Sequence, residues 1–274
     1  MFSTRRPAQP QTESLSSKYG ARKSTSRVRR PIRESPTRSR VSERRQKPDG
    51  SSLGSDMVIY FAVGSQKRLF AARWNMIRGA PLLATYCREQ SSGSGTRPKP
   101  INMPDEQPEI FSCVLEYLYT GDYYPRLVHD KSHENWWLED SSMSKDVQSN
   151  EATIYHQGAE AIILKDTAVY CAAEKYGIEN LKRLSLRKQG LHCGIQCSTI
   201  LTSARYAYAN TPDTESKLRA HYLALIIRSR STFKRSGTMQ MEMEQGGKLF
   251  FDLFVAMCNH MDDLDATFKA PLAD

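Results

Sequence analysis

The sequence predicts an α+β protein: a mixed domain opening on short strands, an all-α C-terminal region beyond it, and a disordered basic tail in front. Three observations predict this. Residues 57–63 and 68–71 are apolar runs of strand length on either side of a turn-forming loop. From residue 165 onward the apolar spacing is helical. Charge is unevenly spread: the 274-residue chain carries 39 Lys and Arg against 30 Asp and Glu, yet residues 1–50 hold 14 basic and 4 acidic side chains, a net of +10, and the remainder nets −1.

The tail, residues 1–52, has only nine apolar or tyrosyl residues in its first fifty, too few to offset the entropy of ordering it. Arg22, Lys23, Arg27, Arg29, Arg30, Arg33, Arg38, Arg40, Arg44 and Arg45 cluster there. They suit nuclear import, nucleic-acid phosphate or an anionic membrane surface, which share one physics. With no aromatic residue beyond Phe2 and Tyr19, any nucleic-acid binding is expected to be indifferent to sequence and steeply salt-dependent. A solvated, solubilising tail is the plain alternative. Ser24, Ser35 and Ser39 lie among the arginines, where phosphorylation would offset the charge.

The folded part is expected from about Leu53. Met57–Val63 reads as a strand, Gly64–Lys67 as a hairpin loop and Arg68–Ala71 as the returning strand. Arg73–Cys87 reads as two short helices, with Pro81 in the first turn of the second. Residues 90–100 read as a flexible loop and Ile101–Met103 as a short strand. The acids of Asp105–Glu109 are expected to cap a helix whose face is Ile110, Phe111, Val114, Leu115 and Leu118, stopping at Thr120-Gly121. Residues 128–158 are polar and read as a structureless surface insertion. Within it, adjacent Trp136 and Trp137 cannot both face one core, so one is expected to anchor the loop and the other to offer a binding contact. Helices are expected over 165–177, 178–189, 195–209, 213–230 and 248–264, the last with Leu249, Leu253, Phe254, Met257 and Met261 in register.

No apolar run reaches the roughly 18 residues of a spanning helix, and the first ten residues lack a signal-peptide core. The prolines of the tail argue against the amphipathic helix of a mitochondrial transit peptide. Six scattered cysteines read as reduced thiols, which with the basic tail predicts a nuclear or cytoplasmic protein, the nucleus favoured. His192, Cys193 and Cys197 lack a fourth ligand for zinc, and Gly93–Thr96 lacks the lysine of a phosphate-binding loop. No catalytic constellation, metal or cofactor is expected.

The words Ser55–Tyr60, Phe70–Arg73, Ala80–Leu83, Pro104–Phe111, Leu115–Asp122 and Ala172–Lys182, in that order, resemble a BTB/POZ domain over residues 53–188. The long insertion and the helical region 189–274 resemble fungal members. The resemblance implies a short sheet capped by helices that serves as a non-enzymatic protein-interaction module. It implies that Asp56 and Arg73 approach one another in a partly buried pocket used in assembly or partner binding, as only a pair of such charges is tolerable there. Ala72 stands where the family has a histidine. It also implies protein partners, among them a cullin ubiquitin-ligase scaffold, near whose contact Tyr119 would lie, or a second copy of the chain. The apolar-x-Glu motif of cullin-binding members is missing from residues 90–100, Cys87-Arg88-Glu89 being the nearest candidate. Residues 40–52 supply no extra helix of the kind homodimerising members carry.

Overall fold

The computed structural model describes residues 57–91, 99–130, 135–139 and 152–269. The basic tail and Asp56 lie outside the described residues. The protein is mixed α+β, and its helices and small sheets pack around two adjoining apolar cores.

The first core is built on a three-stranded sheet of order β2-β1-β3. Strand β1 (Val58–Val63) pairs antiparallel with β2 (Arg68–Arg73) and parallel with β3 (Ile101–Met103). The hairpin closes through Gly64, at φ 74°, whose amide donates to the Met103 carbonyl at 2.9 Å. A side chain at Gly64 would strike the Pro108 ring at 2.9 Å, so the turn and its packing both call for glycine. Helices α1 (Trp74–Ile77) and α2 (Pro81–Ser91) follow as expected, with Pro81 opening the second. Helix α3 (Pro108–Thr120) begins on Pro108, which gives up no bond at the first helical position, and ends at Gly121 in the left-handed conformation. Phe111 on α3 meets Phe61, Phe70 and Tyr176 with ring centroids 5.1, 5.5 and 6.4 Å away.

The expected capping acids of α3 do other work. Gln107 is the N-cap residue and makes no side-chain cap bond. Glu106 pairs with Lys175, and Gln107 donates to Glu109 at 2.9 Å and to the Tyr155 carbonyl at 3.3 Å. A long-range ion pair takes Glu106 away from its local amides.

The segment 128–158, expected to be structureless, carries strands at both ends. Strand β4 (Leu127–Asp130) pairs antiparallel with β5 (Asn135–Leu138), and β6 (Thr153–His156) with β7 (Ala161–Leu164). Four-residue strands are too short to show a period, so their sequence reads as loop. The stretches 131–134 and 140–151, like 92–98, lie outside the described residues.

Helix α4 (Lys165–Tyr176) is the shared wall of the two cores. Ala168, Val169, Ala172, Ala173 and Tyr176 face the first core, whereas Tyr170 and Cys171 face the second. Next come α5 (Glu179–Gln189), α6 (Cys197–Asn210), α7 (Lys217–Arg228), α8 (Arg230–Phe233), α9 (Gly237–Gln245) and α10 (Lys248–Lys269). The second core gathers Leu201, Ala204, Leu218, Tyr222, Ile226 and Leu253, all nearly inaccessible. Helix α7 starts at Lys217 rather than at Asp213. Glu215 accepts the Lys217 amide at 3.1 Å, and Asp213 is drawn aside by Arg219 and Lys248.

Candidate partner-binding surface

The tryptophan pair sits on β5, and the register sets Trp136 opposite His129 and Trp137 opposite Val128. Successive strand residues point to opposite faces, so the two indoles project from opposite faces of the hairpin. Neither anchors it: Trp136 is 42% and Trp137 39% exposed, and Leu138, at 3%, is the residue that plugs into the body. The expectation of one buried and one exposed indole is thus corrected, because the strand ends on a leucine that takes the inward place. Trp136 is steadied from two sides, by the His129 ring at 4.4 Å and the Arg187 guanidinium at 5.1 Å. Tyr124, 39% exposed, adds a third aromatic, with the Lys165 ammonium 5.8 Å from its ring centroid.

A buried polar cluster holds the root of this hairpin. The Asp122 carboxylate accepts the Tyr123 amide at 2.7 Å and the Leu127 amide at 2.9 Å, fixing the turn into β4. Lys188 of α5 is completely buried, 2.5 Å from Asp122 Oδ1, and donates to the Tyr123 and Pro125 carbonyls at 2.5 and 2.7 Å. Its ammonium lies 3.7 Å from the centroid of the Tyr123 ring. Burial pulls the Lys188 ammonium below its usual range, and the Asp122 carboxylate opposes that fall. The Tyr123 hydroxyl donates to Asp166 Oδ1 at 2.6 Å, and His192 Nε2 stands 2.6 Å from Asp166 Oδ2. Burial and the neighbouring Asp166 charge raise the Tyr123 phenol well above its ordinary value, so it stays a donor.

Sequence reasoning missed Asp122, Lys188, Asp166 and His192 as a connected group. One signal could have found it. Lys188 falls on the inward face of α5, seven residues after Leu181, where an ammonium is tolerated only against buried acceptors. His192, weighed as a metal ligand, serves Asp166 instead.

The expected partner of Arg73, Asp56, lies outside the described residues; the Arg73 amide donates to the Tyr119 hydroxyl at 2.9 Å, tying the end of β2 to the end of α3. The Arg73 side chain is exposed, not set in a partly buried pocket, because alternation along β2 turns Ala72 inward and Arg73 outward. Tyr119 is 46% exposed. Arg22, Lys23, Arg27, Arg29, Arg30, Arg33, Arg38, Arg40, Arg44 and Arg45 of the basic tail lie outside the described residues.

Among the described residues, no group of three or more His, Cys, Asp or Glu is placed to hold a metal ion, and no helix is long and apolar enough to cross a membrane. Burial pushes the Cys87 and Cys171 thiols up to about 12 and Cys113 to about 11, which keeps them protonated and unreactive at neutral pH. No protein-family model matches the chain, and no curated protein matches it.

Proposed function

We propose that this chain is a non-enzymatic protein-interaction module of the BTB/POZ type, a scaffold or adaptor that contacts its partner through the Trp136–Trp137 hairpin and the neighbouring Tyr124. The observation that carries the reading is the hairpin itself. Two indoles stand about two-fifths exposed on four-residue strands, yet a wholly buried lysine pins the turn beneath them. Large aromatic side chains held rigid before binding lose little entropy on contact, which is what a binding anchor requires. The short sheet capped by helices supports the same reading. In its adaptor form, the partner is a cullin-type ubiquitin-ligase scaffold reached from the Tyr119 side.

The test is affinity capture from cells with the full chain beside its Trp136→Ala/Trp137→Ala variant, followed by mass spectrometry. The expected result is a set of proteins held by the wild type and lost by the variant, which keeps its fold; a cullin within that set establishes the adaptor form. Identical captures for the two proteins would refute the hairpin as the contact.

A second reading rests on charge. The +10 concentrated in residues 1–50 suits a nuclear regulator that binds nucleic acid through its tail, the folded part bringing partners together. Here deletion of residues 1–47 abolishes retention on DNA at low salt. Retention that survives the deletion sinks this reading.

A further inference from the structure

Helix α10 carries more apolar surface than the protein covers. Leu249, Phe250 and Leu253 are at most 9% exposed and pack into the second core. Beside them runs a stripe, at spacings of three and four, that stays largely exposed. Phe251 is 64% exposed, Phe254 66%, Met257 44%, Met261 61% and Leu264 40%. Residues 261–267 are exposed all the way round, so this end of the helix extends free of the body. An isolated stretch of helix is marginal in water, and its order ordinarily comes from packing an amphipathic face.

We propose that α10 is a dimerisation element, pairing antiparallel with α10 of a second copy of the chain. Area and charge argue for that occupant. Taking about 200 Å² for a large side chain fully exposed, the stripe leaves about 550 Å² on one copy, hence about 1,100 Å² on two, which clears the roughly 1,000 Å² a specific interface needs. Acids crowd the C-terminal end as Asp262, Asp263 and Asp265, where the negative end of the helix dipole already disfavours them. A parallel pair would set these clusters side by side. An antiparallel pair instead sets the two clusters at opposite ends of the interface.

Side-chain size agrees with the same register. Antiparallel pairing about Met257 and Cys258 sets Phe251 against Leu264 and Phe254 against Met261, so each phenylalanine meets a smaller or more pliable residue. It also brings the two Cys258 residues together at the centre, where half-buried thiols on helices about 8–10 Å apart lie within reach of a short cross-linker.

The test is sedimentation equilibrium on the full chain across micromolar concentrations, with Phe254→Glu/Met261→Glu and Cys193→Ser variants alongside. The wild type is expected at twice the 31.1 kDa mass of the chain, and the double glutamate variant at the single mass with an unchanged circular dichroism spectrum. A bismaleimide is expected to join Cys258 to Cys258 between copies, with or without Cys193. This second measurement holds even if the glutamates disturb folding. A wild type that stays monomeric overturns the proposal, whether residues 1–50 of the same chain or a different protein then covers the stripe. A dimer that survives the glutamates overturns it too, and a dimer without the Cys258 link overturns the antiparallel register.

Discussion

Replacing Lys188 by methionine removes the buried ammonium beneath the tryptophan hairpin while keeping most of the stem's volume, so the loss measured is of bonds rather than of packing. The carbonyls of Tyr123 and Pro125 lose their donor, and Asp122 loses its ion pair while keeping the Tyr123 and Leu127 amides. An orphaned buried carbonyl costs about 1–3 kcal/mol, and breaking a buried ion pair from one side about 3–5 kcal/mol. The Asp122 side chain is 23% exposed and regains some water, which favours the low end of each figure, about 5 kcal/mol in all. For a folded unit of this size that is a fall in Tm of about 10–20 °C. Thermal unfolding followed by far-ultraviolet circular dichroism reads it. Tryptophan emission reads its place, since Trp136 and Trp137 lie on the loosened hairpin while Trp74 stays in the first core. Adding Asp122→Asn to the variant removes the stranded charge and is expected to restore part of the loss. A fall below about 2 °C with unchanged emission would refute the reasoning, as it would mean that the ammonium does not fasten the hairpin.

Two further outcomes follow from particular contacts. Burial by itself would raise Glu215, but hydrogen bonds from Lys182 and the Lys217 amide hold it below its ordinary 4.5. Burial likewise disfavours the Lys182 ammonium, yet Glu174, Glu215 and Glu179 hold it above 10.5. A depressed carboxylate stabilises fully above its unfolded value and loses that contribution as pH falls through the folded one; a raised ammonium stabilises below 10.5 and loses it as pH rises beyond. The urea midpoint of the wild type should therefore exceed that of Lys182→Met at neutral pH, with the gap closing as pH drops below 4.5; a gap constant down to pH 3 contradicts this. Gly177 ends α4 at φ 73°, and an added methyl would stand 3.2 Å from Leu82 Cγ. Gly177→Ala is expected to cost about 1–2 kcal/mol in denaturant unfolding, and a neutral result would show that the turn relaxes to negative φ.

The elements legible in the sequence are those written by local chemistry. Pro81 and Pro108 open helices, Gly121 and Gly177 close them, and the run Val58–Val63 is long enough to announce a strand. Backbone preference and apolar period act within a few residues, so one chain position suffices to read them. The candidate surface was legible as an oddity, two tryptophans in a polar stretch, and no further. Tertiary structure alone decided that both indoles stay about two-fifths exposed, that Leu138 anchors β5, that Arg73 turns to solvent and that Glu106 forsakes its helix for Lys175. It also decided that Lys188 joins Asp122 across 66 residues of chain. Of the apolar face expected on α10, Leu249 and Leu253 are covered while Phe254, Met257 and Met261 are not, because only the positions of α6 and α7 determine how much of that helix is covered. Such outcomes depend on pairs distant in sequence whose desolvation is tolerable only together, and no window of neighbouring residues contains both members of the pair.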